Sequence, residues 1–167
     1  MHRATGLLAA AVALLLVLPA SASDADNAAY QKAFQLHSRG CATGVAGDCN
    51  NLGIDYQQGR GTPPNPVDAA TYYRKACDLG SPAACCNLGY LHNAANGVAR
   101  DEVKATSLFQ QACDGGDYAC CADVGTSYAI GRGVAPDRAK AAGAFTKACD
   151  HDVADGCVKL GNLQTGK

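Results

Sequence analysis

The chain has 167 residues, with 14 basic and 15 acidic side chains, ten cysteines and no tryptophan. A net charge of −1 argues against nucleic acid or an anionic membrane as the main partner, since both call for a basic patch. With few aromatics, the core must be built from Ala, Leu, Tyr and Cys, and its abundant small side chains bury little area each, so cross-links should matter for stability.

The first 22 residues read as a cleaved signal peptide. Met1-His2-Arg3 is followed by an apolar run from Leu7 to Leu18, then by Pro19-Ala20-Ser21-Ala22 with its A-x-A pattern, which places cleavage after Ala22. The run is too short to cross a bilayer, which takes about 20 residues, so no stable membrane insertion is expected. The cysteines all follow this leader, as befits an oxidising compartment. The expected location is the periplasm or the medium, and residues 23–167 are expected to form one domain.

Beyond the leader, the chain repeats itself. Cys41/Cys49, Cys77/Cys85, Cys113/Cys121 and Cys149/Cys157 are C-x7-C pairs at a period of 36. Gly53, Gly89, Gly125 and Gly161 follow in register, as do Gly61, Gly97 and Gly133. So do Ala69, Ala105 and Ala141; Tyr73, Phe109 and Phe145; and Ala76, Ala112 and Ala148. A fixed period of this length marks a stack of supersecondary units, and each unit reads as two helices. In the second unit, helix A runs from about Pro82, capped by Ser81, to His92. Cys85, Leu88, Gly89 and His92 share one of its faces. It ends in a glycine-rich loop such as Gly59-Arg60-Gly61. Helix B runs from about Asp101 to Cys113, with Ala105, Phe109, Ala112 and Cys113 as its apolar stripe. Residues 27–41 read as a lone helix B and residues 153–163 as a lone helix A, around three complete A–B pairs.

Each C-x7-C pair joins the end of a helix B to the start of the next helix A, which predicts four disulfides. Zinc sites use C-x2-4-C clusters; this chain has none, and no metal or cofactor is expected. Cys86 and Cys120 stand outside the period. They lie on neighbouring A helices, where a fifth bridge is the preferred reading. Two free buried thiols, or a redox pair beside Cys85 and Cys121, are the alternatives.

Asn87-Leu88-Gly89-Tyr90, Gly97-Val98, Lys104-Ala105, Phe109 and Ala112 resemble the pattern of the Sel-one-like repeat family, a relative of the tetratricopeptide repeats. The C-x7-C staple resembles that family's Helicobacter cysteine-rich branch. The resemblance spans about residues 30–163. It implies an all-α, right-handed α/α solenoid with helix A on the concave side, acting as a protein-interaction scaffold. It also implies an alternative, a weak β-lactam-binding hydrolase, since some members of that branch are described as penicillin-binding proteins with weak β-lactamase activity. An envelope thiol-disulfide protein is the third reading.

The residues themselves offer no catalytic machinery. The mature serines Ser23, Ser38, Ser81, Ser107 and Ser127 do not start an S-x-x-K motif, and His37, His92 and His151 form no ligand motif. Gly161 to Lys167 fits G-x4-G-K but lacks the preceding strand and following helix of a phosphate loop. The expected partner is a protein or peptide, with a β-lactam or a cell-wall peptide as the smaller alternatives. Asn51, Asp55, Asn87, Tyr90 and Asp123 on the A helices are the candidate groove residues; Tyr56 and Tyr128 share a register position that reads as core.

Overall fold

A computed structural model describes residues 22–166. The expected leader lies outside the described residues but for Ala22, the first residue of α1. The described residues form eight α-helices and no strand: α1 (Ala22–Ala42), α2 (Ala46–Gln58), α3 (Pro66–Asp78), α4 (Pro82–Ala94), α5 (Glu102–Asp114), α6 (Tyr118–Ile130), α7 (Arg138–Cys149) and α8 (Ala154–Thr165). Helices α2, α4, α6 and α8 are the A helices, and α1, α3, α5 and α7 the B helices. Each packs on its neighbours in the chain, giving the all-α solenoid of three A–B pairs between two half-units.

Local chemistry sets the boundaries. Three B helices begin one period apart on a side-chain cap: Asn65 accepts from the amides of Val67 and Asp68, Asp101 from Lys104, and Asp137 from Lys140. Ser81 caps α4 ahead of Pro82. These caps satisfy amides that the first turn leaves without partners. The A helices end on a left-handed residue, Gly59 after α2 and Gly131 after α6. After α4 that position is Ala95, at φ 54°, a conformation that disfavours a Cβ.

Two sets of glycines fix how closely the helices approach. A Cβ on Gly53, Gly89 or Gly125 would lie 2.6, 2.6 or 2.5 Å from the ring of Tyr73, Phe109 or Phe145. Each A helix therefore receives the aromatic ring of its own B helix in a slot that glycine leaves open. Gly97 does the equivalent job between units. It sits at φ +71° with its α-carbon turned onto the backbone of Pro66, at the start of the preceding B helix. Either constraint alone forbids a larger residue there.

Five disulfides tie the stack. Cys41–Cys49, Cys77–Cys85, Cys113–Cys121 and Cys149–Cys157 close the B-to-A turns with Cα separations of 4.4, 4.7, 4.7 and 4.6 Å. Cys86–Cys120 joins α4 to α6 with a Cα separation of 6.2 Å. All lie within the span a disulfide bridges.

The joint bonds close loops of 8 residues and Cys86–Cys120 a loop of 34. Chain-entropy arithmetic then gives about 2.5 kcal/mol for a joint bond and about 3.8 kcal/mol for Cys86–Cys120. Replacing Cys86 and Cys120 by Ala should therefore destabilise the protein by about 1 kcal/mol more than replacing Cys77 and Cys85. Urea unfolding of the two double variants checks this; the reverse order would show that long-range closure is not what the fifth bond contributes.

Candidate functional face on the A helices

The A helices form one rank, linked side by side. Asn87 on α4 donates from Nδ2 to Oδ1 of Asn50 on α2 at 3.0 Å. Tyr90 on α4 donates its hydroxyl to Oδ2 of Asp123 on α6 at 2.5 Å. The Cys86–Cys120 bond runs between the same two helices. The sulfurs of Cys86 and Cys120 and a carboxylate oxygen of Asp123 all lie within 4.8 Å of one another. Both sulfurs are committed to each other, so the trio does not offer a metal three free ligands. On α8, Lys159 pairs with Asp155 at 2.7 Å.

Four of the five candidate groove residues belong to this rank. Asn51, Asn87 and Asp123 are half-buried, one period apart, and Tyr90 is exposed beside them. Asp55 does not join them. It is buried, and its Oδ2 lies 2.6 Å from Nδ1 of His37 on α1. Its register position is held by Leu91 and Ser127 in the next two units, both buried, and that pattern could have placed it inward from sequence.

Tyr56 packs edge-on to Phe34 and stacks on Tyr72, each with centroids 5.4 Å apart. Tyr128 has the Lys140 ammonium 5.2 Å from its ring centroid. The third member of that register position is His92, which the sequence spacing sets on the apolar face of its helix. It is buried, with Nδ1 3.1 Å from the carbonyl oxygen of Ala99. His151 stacks on Tyr118 in the α7–α8 turn. The three histidines thus lie on three different elements, each with its own partner. Gly161 lies within helix α8, which removes the phosphate-loop reading.

Between α6 and α8 the rank opens into a cleft of about 200 Å³, lined by Thr126, Ala129, Phe145, Lys159, Asn162 and Leu163. Its floor is apolar, and an ammonium and an amide stand at its rim. The electrostatics of the rank centre on Tyr90 and Asp123. Burial raises the Asp123 carboxyl above its ordinary 3.8, against the pull of the Tyr90 hydrogen bond and the Lys159 charge. Burial, and then that same hydrogen bond, raise the Tyr90 phenol, so it stays a donor.

The fold defines an α/α repeat solenoid. Residues 48–81, 82–117 and 119–153 each match the Sel1 repeat model, and the chain belongs to the Sel1 repeat family. Sel1 repeats typically serve as protein-interaction scaffolds and are generally non-enzymatic. A Sel1 repeat protein from Oxalobacter formigenes matches with a TM-score of 0.74 and 28% identity, over 78% of this chain and 54% of that one. Helicobacter pylori cysteine rich protein B matches with a TM-score of 0.65 and 28% identity, over 80% of this chain and 96% of that one. The c5321 protein of uropathogenic Escherichia coli strains, described as a protective antigen with an SLR fold, shares the fold at a TM-score of 0.77 and 24% identity, over 80% of this chain and 29% of that one. The chain thus spans about half of the Oxalobacter protein. No curated protein sequence matches. The disulfides and the likeness to the Helicobacter protein are consistent with a location outside the cytoplasm.

Asp123 should titrate above 3.8 in the native protein, as read from its carboxyl carbon by NMR. Tyr90→Phe should move it higher still, because the phenolic hydrogen bond is what pulls it down. The sign for stability follows from the raised value. The contribution of this carboxyl is fully present below pH 3.8 and is lost as pH rises through the folded pKa. A native midpoint at or below 3.8, or one that Tyr90→Phe leaves in place, would contradict this account.

Proposed function

We propose that this chain is an exported scaffold that holds a protein or peptide segment along the rank of A helices, in the periplasm or outside the cell. The observation that carries the reading is the polar strip Asn51, Asn87, Tyr90 and Asp123 running into the apolar cleft between α6 and α8. Amide, phenol and carboxylate groups at successive units suit the repeating N–H and C=O groups of an extended peptide. The cleft suits one apolar side chain of that peptide, with the Lys159–Asp155 pair at its rim. Tyr90 is the expected anchor, since an exposed tyrosine offers a large contact area with few rotatable bonds. Export rests on the apolar leader and on the ten paired cysteines.

A photo-crosslinking residue placed at 90 should capture the partner from the envelope, and one placed at exposed Arg74 on α3 should not. Binding of the captured segment should then fall about tenfold in Tyr90→Ala, the loss of one aromatic anchor, with the helical circular-dichroism signal unchanged. Equal capture from both positions, or unchanged affinity in Tyr90→Ala, would sink the groove reading. Turnover of a chromogenic β-lactam by the oxidised protein, absent from a reduced control, would favour the hydrolase implied by the cysteine-rich branch.

A further inference from the structure

The first unit packs two tyrosines face to face, and the third unit keeps only one of them. Tyr56 on α2 and Tyr72 on α3 stack with their planes 5° apart and their centroids 5.4 Å apart. One period on, His92 and Leu108 hold these positions, and both are buried. Two periods on stand Tyr128 on α6 and Ala144 on α7. The tyrosine returns, but the side chain opposite it has shrunk to a methyl group. Beside Ala144, Gly143 takes the place of Thr71 and Ser107, and a Cβ there would meet nothing within 4 Å.

These two losses leave a cleft of about 390 Å³ between α5, α6 and α7, within the size range of small-molecule sites, about 300–1,000 Å³. It shares no lining residue with the cleft between α6 and α8. Val124, Tyr128, Gly143 and Ala144 form its apolar side, and Lys140, Lys147 and Asp114 bring charge to it. The two lysines differ in how firmly they are held. Lys147 donates to the Cys113 carbonyl at 3.1 Å and to the Asp114 carboxylate at 3.3 Å. Lys140 pairs loosely with Asp137, at 3.8 Å, and its side chain is 62% exposed. Its ammonium stands 5.2 Å from the centroid of the Tyr128 ring. Of the three charged groups lining the cleft, Asp114 offsets Lys147 and leaves Lys140 for a ligand.

We propose that this cleft binds a planar aromatic ring that carries a carboxylate. The ring takes the volume that the Tyr72 side chain fills in the first unit. It stacks on Tyr128 as Tyr72 stacks on Tyr56, an arrangement that aromatic pairs favour. Lys140 moves from the face of the phenol to the edge of the incoming ring and pairs with the carboxylate there. A free aromatic acid and the C-terminal aromatic residue of a peptide both carry this chemistry. The site is separate from the polar strip on the A helices and does not depend on it.

Titration of the purified, oxidised protein with N-acetyl-phenylalanine, followed by NMR, tests the proposal. The ring signals of Tyr128 should shift, with a Kd on the order of 1 mM for a ligand of this size. The amide of the same compound should bind about fivefold more weakly, the worth of one exposed ion pair. Ala144→Leu gives this unit the residue of the unit before it, and should abolish the shifts. Lys140→Gln should bind acid and amide alike; it alters a solvent-exposed side chain and decides the matter if Ala144→Leu fails to fold. A peptide ending in phenylalanine that binds as tightly as N-acetyl-phenylalanine supports the proposal with peptide termini as the source. A peptide that fails where the small acid binds supports it with free aromatic acids as the source. Tyr90→Ala should leave this binding unchanged, which separates it from the groove on the A helices. Tyr128 signals that stay unmoved up to the solubility limit of N-acetyl-phenylalanine would overturn the proposal. Shifts that persist in Ala144→Leu, or equal affinities of wild type for acid and amide, would overturn it too.

Discussion

A ring of a B helix seated in the glycine slot of its A helix is the contact on which the rest of the structure depends. A glycine there brings the two backbones close and lets one Tyr or Phe fill the space that a Leu–Leu contact would fill in a wider pair. Three copies of this contact, at Gly53, Gly89 and Gly125, give three pairs of nearly equal thickness. Equal pairs stack with one rotation per unit, which is what makes the A helices a continuous rank. The small core that results contains Ala at two register positions of every B helix in the three pairs: Ala69 and Ala76, Ala105 and Ala112, Ala141 and Ala148. Such a core buries little apolar area, and the disulfides at the joints offset the shortfall by limiting the unfolded chain.

The groove depends on the same geometry. Tyr90 reaches Asp123 because α4 and α6 present the same faces one unit apart, and Asn87 reaches Asn50 across α4 and α2 for the same reason. The Cys86–Cys120 bond lies in this layer rather than at a turn. The regular bonds fix the turn within each joint, whereas this one fixes the angle between two units. On the proposed reading, a rank held at its centre would present its polar groups pre-aligned, lowering the ordering cost of binding an extended segment.

The architecture was legible because it is periodic. Glycine, alanine and aromatic positions repeating every 36 residues leave little freedom in where the helices start, stop and pack. The face was legible only in part. Asn87, Tyr90 and Asp123 lie on the rank of A helices where the helical spacing places them. Asp55 does not join them. It is polar yet turned inward, because α1 supplies His37 as its partner and so satisfies its buried carboxylate. That pairing joins residues 18 apart on different helices, a relation the period does not encode. His92, set on the apolar face of its helix by its spacing from Cys85, Leu88 and Gly89, is buried there.

Departures from the period are therefore the informative residues. A position identical in every unit is accounted for by the packing that every unit shares, and selects no ligand. Asp123 occupies the position of Asn51 and Asn87, and carries a charge that burial opposes. Lys159, one unit further, is the same position with the charge reversed. Along one register the face thus changes from neutral to acidic to basic between α2 and α8. On the proposed reading, a segment lying across it would meet a different group at each step, which would fix both its direction and its position. A uniform row of amides would leave an extended peptide free to slide by one unit; the acidic-to-basic step at the α6–α8 cleft removes that freedom.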